Sequence, residues 1–254
     1  MKKTYSIVIA AIMIILLWHL SSIALNKPFL PSPFKAGLSF LTVVTNGDLT
    51  PHFVISSYRV AIGIGCALLL AIPTGLLMGW NNKIDLILSP LLYVLYPIPK
   101  VVFLPIILVL FGLGDAPKII LIAFVLYFQL VVVIRDAAKG IPYDQKQVIR
   151  SLNATKLQTL SHLTLPYCLP SVMTSLRASL GTALAILFIA ETFASFSGLG
   201  YYILNRMDSR DYLAMYAGVI GLALLGGGLY ALINIAENTV CKWYKLMADN
   251  SSNH

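Results

Sequence analysis

Few side chains in this sequence could do chemistry, and their spacing points away from bond-making. His19, His52, His162 and His254 are scattered and form no HExxH zinc pair. No serine sits in a GxSxG elbow, and no two carboxylates are placed for acid–base work. Cys66, Cys168 and Cys241 form no CxxC, and Cys66, inside an apolar run, reads as a small hydrophobe. There is no GxxxxGK[ST] phosphate loop, so the chain offers no site of that kind for ATP hydrolysis. What remains is a small set of ionisable residues inside apolar runs, chiefly Lys100 and Glu191. An ionisable group at membrane depth marks a solute path, a gate or an internal pair. The basic residue on the same run as Glu191 is Arg177, about 20 Å away at 1.5 Å per helical residue, so the two cannot pair. Glu191 is therefore expected to line the translocation pathway or hold a gate, the alternative being a cap from a neighbouring helix. Lys100 is expected either in the pathway or at an interface opened by a helix break.

The elements that must position these groups follow from composition. The chain has 254 residues, 58% of them hydrophobic and 11% charged. A soluble domain carries about 25% charged residues, so an all-α polytopic membrane protein is expected. Apolar runs predict about six transmembrane helices, over Tyr5–Ala24, Phe53–Met78, Leu86–Leu113, Pro117–Ile134, Ser171–Phe196 and Tyr212–Ala236. The first is a span, although a basic start and Ser22-Ile23-Ala24 also fit a cleaved signal peptide. The chain divides into an N-terminal helix at 1–25, an extracytoplasmic segment at 26–52, a transmembrane domain at 53–240 and a cytoplasmic tail at 241–254. Arg59, near the outer end of its span, is expected to snorkel to the headgroups. Pro97, Pro99 and Pro105 break the third span, and broken backbone at that depth is tolerated where protein buries it or water lines it. Pro97, Pro99 and Lys100 are thus candidates for the pathway. Gly75 and Gly79 give a GxxxG spacing for close helix contact, and Gly226-Gly227-Gly228 serves packing or a bend.

Between the fourth and fifth spans lies a polar island, DQKQVIRSLNATKLQTLSHLTLPYCLP, from Asp144 to Pro170. Asp144 with Gln147, and Thr155 with Gln158, have capping-box spacing, predicting two short helices. Asn153 between them suits the left-handed turn that ends the first helix. Leu157, Leu160 and Leu163 form an apolar stripe on the second, and Pro166 and Pro170 are expected to stop it. The net charge is +8. Lys2, Lys3, Lys83, Arg135, Lys139, Lys146, Arg150, Lys156, Lys242 and Lys245 fall on the island's side, against Lys27, Lys35, Lys118, Arg206 and Arg210 on the other. That twofold excess places the loop at 135–170 in the cytoplasm.

The island resembles the cytoplasmic coupling loop of ABC importer permease subunits. That pattern is Glu-Ala-Ala, three residues, Gly, nine residues, then Ile-x-Leu-Pro. It falls here on Gln147, Val148 and Ile149, then Asn153, then Leu163, Thr164, Leu165 and Pro166. Pro97-Ile98-Pro99-Lys100, Leu104-Pro105, Phe111-Gly112-Leu113-Gly114 and Glu191 with Ser197 to Ile203 are similar to the nitrate, sulfonate and taurine branch. The likeness runs from about Leu30 to Ala236. It implies a type I importer permease fold with a cytoplasmic coupling helix, in the cell (cytoplasmic) membrane. It also implies a homodimer of permeases, two copies of an ATP-binding subunit and an extracytoplasmic substrate-binding protein. The coupling residues implied are Gln147, Arg150, Asn153, Ala154, Leu157, Leu163, Leu165 and Pro166. No cofactor is expected in this chain; ATP is bound by the partner. The cargo implied is a small anion such as a sulfonate, taurine or nitrate, or else a pyrimidine vitamin precursor.

Two other classes compete. A membrane-embedded enzyme lacks a constellation of reactive residues. A DNA-binding helix-turn-helix is argued against by the leucine stripe and the tether between two spans, so no nucleic-acid partner is expected. Reporter fusions check the orientation: fusions at Lys146 and Lys156 should report the cytoplasmic side, and an extracytoplasmic signal at both would overturn the coupling reading.

Overall fold

The computed structural model describes residues 2–193 and 195–243. The regular elements in those residues are all helical, the form in which a chain surrounded by lipid satisfies its own backbone. They are α1 (Lys2–Leu25), α2 (Pro33–Thr45), α3 (Thr50–Trp80), α4 (Asn82–Leu95), α5 (Leu104–Phe111), α6 (Asp115–Lys139), α7 (Tyr143–Ser151), α8 (Lys156–Thr159), α9 (Leu165–Thr192), α10 (Leu199–Asp208) and α11 (Tyr212–Val240). Among the described residues five helices are long and apolar enough to cross a bilayer. A sixth span results if α4 and the segment Lys100–Phe111, bent by 86°, count as one. Lys245 and the rest of the expected tail from residue 244 onward lie outside the described residues.

The chain forms two compact units. The first comprises Met1–Ser57 and Phe188–Leu225. Here α1 is tied to its surroundings near its C-terminal end. The Trp18 ring stacks on Tyr216 at 5.4 Å, its indole N–H donates to Pro31 O at 3.0 Å, and Ser22 donates to Leu30 O at 2.9 Å. Ser32 caps α2, with Pro33 at its first position, where a missing N–H costs nothing.

The second unit comprises Tyr58–Leu187 and Gly226–His254. Its centre is α6, whose Leu121, Ile122, Leu130, Val131 and Ile134 are fully buried. α3 lies against α6 along a line of glycines. A Cβ on Gly63 would stand 2.6 Å from Ile122 Cγ2, one on Gly75 2.7 Å from Ile134 Cβ, and one on Gly79 2.4 Å from Ala138 Cβ. The GxxxG spacing therefore serves backbone approach. Gly226 faces only the tip of the Leu184 side chain, whose Cδ1 a Cβ would meet at 2.7 Å, whereas Gly227 and Gly228 face open space.

Four local expectations are corrected. Arg59 does not snorkel: it is 2% exposed and bonds Asp115 at 2.7 Å, because α6 begins with a carboxylate beside α3. Asp144 does not cap α7; Pro142 holds that position without a side-chain bond. The gap left between the expected spans ending at Met78 and starting at Leu86 is almost closed, since Asn81 alone separates α3 from α4 and caps the latter by accepting from Lys83 N–H at 3.0 Å. Pro166 and Pro170 do not stop a helix: α8 passes through a π turn at Leu160–Thr164 into α9, and Pro170 lies inside α9. In that wider turn Leu165 N–H reaches Leu160 O, and the chain absorbs a proline ring that a regular turn would meet with a clash.

Gly79→Val should lower the thermal stability of the purified chain by about 1–3 kcal/mol, the usual cost of overpacking. Gly65, with nothing within 4 Å of its added Cβ, is the control: Gly65→Ala should leave stability unchanged or raise it by up to about 1 kcal/mol.

Candidate functional site

The polar island builds a rigid projection. α7 ends in a Schellman motif: Asn153 takes φ +51°, its N–H donates to Arg150 O at 2.9 Å, and Ala154 N–H reaches Ile149 O at 3.4 Å. Thr155 then caps α8 in a complete capping box, donating its N–H to Gln158 Oε1 at 2.8 Å and accepting from Gln158 N–H at 3.3 Å. The backbone at the corner is thus bonded on both sides, and its direction is set.

On this corner apolar side chains stand in the open. Val148, Leu152 and Leu157 are 62%, 72% and 73% exposed. Gln147, Arg150 and Asn153 are also exposed, whereas Ala154, Leu163, Leu165 and Pro166 are half-buried toward the stem. The stem is anchored: Thr164, fully buried, accepts the Trp80 indole N–H at 3.0 Å, and Tyr167 donates to Gly140 O at 3.2 Å. At the α6 side of the same stem Arg135 donates to Ser89 at 2.9 Å, Tyr93 at 3.1 Å and Asp136 at 2.9 Å, and Lys139 pairs with Asp85. The projection's stem is therefore bonded to the ends of α3 and α6, and α6 is bonded in turn to α4.

The broken third span places Pro97 and Pro99 on the surface and Lys100 half-buried. The Lys100 ammonium donates to Tyr96 O and lies 4.9 Å from the centre of the Phe128 ring and 5.2 Å from that of Tyr96. Phe128 also lines an apolar groove of about 490 Å³, with Cys66, Leu70, Phe124 and Tyr127. Lys100 therefore brings a charge to the edge of an otherwise apolar surface.

Glu191, in the first unit, is fully buried and acts as a helix cap from a distance. α10 starts at Leu199 after Gly198, and no side chain of its own bonds its first N–H groups. Those groups find partners elsewhere. Gly198 N–H donates to His52 Nδ1 at 3.1 Å, Leu199 N–H to Ser56 Oγ at 2.8 Å and Gly200 N–H to Glu191 Oε2 at 2.9 Å. Ser56 in turn donates to the carboxylate, at 2.7 Å from Oε1. A carboxylate at a helix N-terminus also gains from the helix dipole. Gly198 is required there: its φ is +106°, and a Cβ would stand 2.2 Å from Glu191 Cδ. His52 and Ser56 were not singled out by sequence reasoning. The signal was present, since an i, i+4 pair on α3 shares one face, but nothing local connects it to a turn more than 140 residues away. The ion pair of Arg177 with Glu237 was missed for the same reason.

Set against known proteins, this arrangement has a clear relationship. Residues 68–241 match the family model described as "Binding-protein-dependent transport system inner membrane component", and the chain belongs to that family. It is a multi-pass membrane permease component of an ABC transporter, not itself an enzyme. It is 30% identical to the putative aliphatic sulfonates transport permease protein SsuC of Bacillus subtilis, over 84% of this chain and 78% of that one. It is 26% identical to the taurine transport system permease protein TauC of Escherichia coli, over 96% and 90%. It is 27% identical to the formylaminopyrimidine transport permease protein ThiX of Halalkalibacterium halodurans, over 96% and 99%. In fold it is similar to the inward-facing MetNI methionine ABC transporter, with a TM-score of 0.61 at 16% identity over 76% of this chain and 94% of that one. The type I importer permease fold expected from the motifs is thus the fold adopted.

Glu191→Ala should destabilise the purified chain by about 2–4 kcal/mol, because it leaves buried donors unpaired. Ser56→Ala should cost about 1–2 kcal/mol. The double variant should cost at least about 1 kcal/mol less than the sum, since both residues serve one network. Thermal unfolding of the four proteins checks the cycle, and strict additivity would count against the remote cap.

Proposed function

We propose that this chain is the permease subunit of an importer in the cytoplasmic membrane. It carries a small anion of the sulfonate type, delivered by an extracytoplasmic binding protein. Two copies of a separate ATP-binding subunit drive it, and a second permease copy completes the pathway. Support for the cargo class comes from the sulfonate and taurine permeases among its relatives. The formylaminopyrimidine permease ThiX, matched over 99% of its length, supports a second reading with a pyrimidine vitamin precursor.

The observation that carries the coupling role is the exposed apolar corner on an anchored stem. Val148, Leu152 and Leu157 fill a groove on the ATPase, Gln147 and Arg150 bond its rim, and Asn153 with Ala154 keeps the corner rigid. Leu163, Leu165 and Pro166 form the stem that passes the motion to α9. When the ATPases close, two such projections move together, and the helices rock between inward- and outward-open states. Pro97, Pro99 and Lys100 belong to the pathway, where the break opens backbone to the solute and Lys100 supplies a counter-charge. Glu191 acts as a gate element by holding the hairpin between α9 and α10. In this reading α1 is retained as a span, residues 26–52 are extracytoplasmic and the loop at 135–170 is cytoplasmic.

Uptake of a labelled sulfonate, measured beside the amount of protein in the membrane, tests the role. Asn153→Pro forces φ to about −65° where the corner needs a positive angle, so uptake should fall to background with the membrane level unchanged. Asn153→Gly should keep uptake, because glycine adopts the same angle freely. Leu157→Asp should abolish both uptake and co-purification of the ATPase. Undiminished uptake in Asn153→Pro and Leu157→Asp would overturn the coupling role. Competition by a formylaminopyrimidine but not by sulfonates would decide for the second cargo.

A further inference from the structure

A cleft of about 840 Å³ in the first unit has no part in the transport reading. Its walls are the end of α1, the loop that follows, the first turn of α2 and the residues joining α10 to α11. Lys27, Lys35 and Arg210 line it. None of the three has a carboxylate partner among the described residues. Asp211 is the acidic lining residue, and it is already engaged, accepting from Ala214 N–H at 3.2 Å with Arg206 at 3.7 Å. The first turn of α2 adds the positive end of a helix dipole. The cleft is therefore a concave site with a surplus of positive charge.

Arg210 stands out on backbone grounds. It ends α10 at φ +58°, with its N–H on Met207 O at 3.0 Å and Asp211 N–H on Arg206 O at 2.9 Å. This is the left-handed Schellman position that glycine or asparagine normally fills. A residue with a Cβ is strained there, so the turn itself gives no reason for arginine. Its side chain, not its backbone, is what the site uses.

The location defines the ligand further. The cleft lies where α1 and α11 reach the polar edge of their spans. Below it α1 is bare: none of its 18-residue apolar window is buried, and Leu17, Leu20 and Ile23 are at least 60% exposed. We propose that the cleft binds a tetrahedral oxyanion, the phosphate headgroup of an anionic phospholipid, whose acyl chains run along α1. Cations collected at headgroup level attract a headgroup of net negative charge over a zwitterionic one by charge alone. The same chemistry would accept a free sulfonate or phosphate, and the bare apolar wall favours the lipid.

The test uses the full-length chain purified in neutral detergent with the subunits that co-purify. Binding of phosphatidylglycerol and phosphatidylcholine is titrated by native mass spectrometry. Phosphatidylglycerol should bind about tenfold or more tightly than phosphatidylcholine, and each cation removed should cost about fivefold. Arg210→Gly suits the left-handed backbone, so it should keep or raise Tm while weakening phosphatidylglycerol binding. Lys27→Gln/Lys35→Gln/Arg210→Gly should abolish the preference between the lipids. Resistance of bound phosphatidylglycerol to millimolar methanesulfonate supports the lipid as occupant; its displacement supports an oxyanion site filled from solution and overturns the lipid assignment. Equal binding of both lipids by the wild type, or unchanged phosphatidylglycerol binding by the triple variant, overturns the site altogether.

Discussion

A polar group buried in an apolar chain gains most by finding its partner inside the protein, and that constraint shapes several joints between the membrane-crossing helices of this molecule. Each break in a membrane-crossing helix frees backbone N–H or C=O groups, and no water at that depth can receive them. The start of α10 shows the consequence. Its first three N–H groups are taken by His52, Ser56 and Glu191, residues of two other helices. The same constraint pairs Arg59 with Asp115. It also keeps the Lys118 ammonium on the Gly114 carbonyl at 2.8 Å. Arg59 and Glu191, which look anomalous in their apolar runs, are in the structure joints between helices.

The polar island obeys the opposite rule. Its backbone is satisfied locally, by a Schellman turn and a capping box back to back. Its apolar side chains are left without a partner, at exposures of 62–73% for Val148, Leu152 and Leu157. A corner with settled backbone and unsettled side chains is a preformed half of an interface. Preorganisation lowers the entropic cost of docking. It also lets force pass through the corner without being absorbed by it, and the anchors at Thr164 and Trp80 continue that stiffness into the spans.

The glycines of α3 complete the mechanical picture for the second unit. At Gly63, Gly75 and Gly79 the α3 backbone touches α6 where a methyl group would collide. Helices in lipid gain little from the hydrophobic effect against each other, so close packing has to supply the attraction. Within this unit α3 and α6 form the firm part, and the broken α4–α5 segment with its four prolines, Pro90, Pro97, Pro99 and Pro105, is the part least able to form a regular helix.

The amino-acid sequence alone determined what local chemistry determines. Apolar runs defined the spans, prolines marked the break near Lys100, and Asn153 and Thr155 prescribed the corner of the island. The island's pattern at Gln147, Asn153 and Leu163 to Pro166, taken with the motifs from Pro97 to Gly114 and from Glu191 to Ile203, carried the resemblance to the family. The tertiary structure decided what depends on distant partners. For Glu191 the sequence left open a path or gate role and a cap from a neighbouring helix, and it gave no hint that Ser56 would bond its carboxylate. Arg59 looked free to reach headgroups until α6 brought Asp115 to it. Pro166 and Pro170 looked like helix ends until a π turn absorbed them. Turns and caps are settled by neighbours a few residues apart, whereas the partner of a buried charge is chosen by how the helices pack, and no short stretch of sequence contains that.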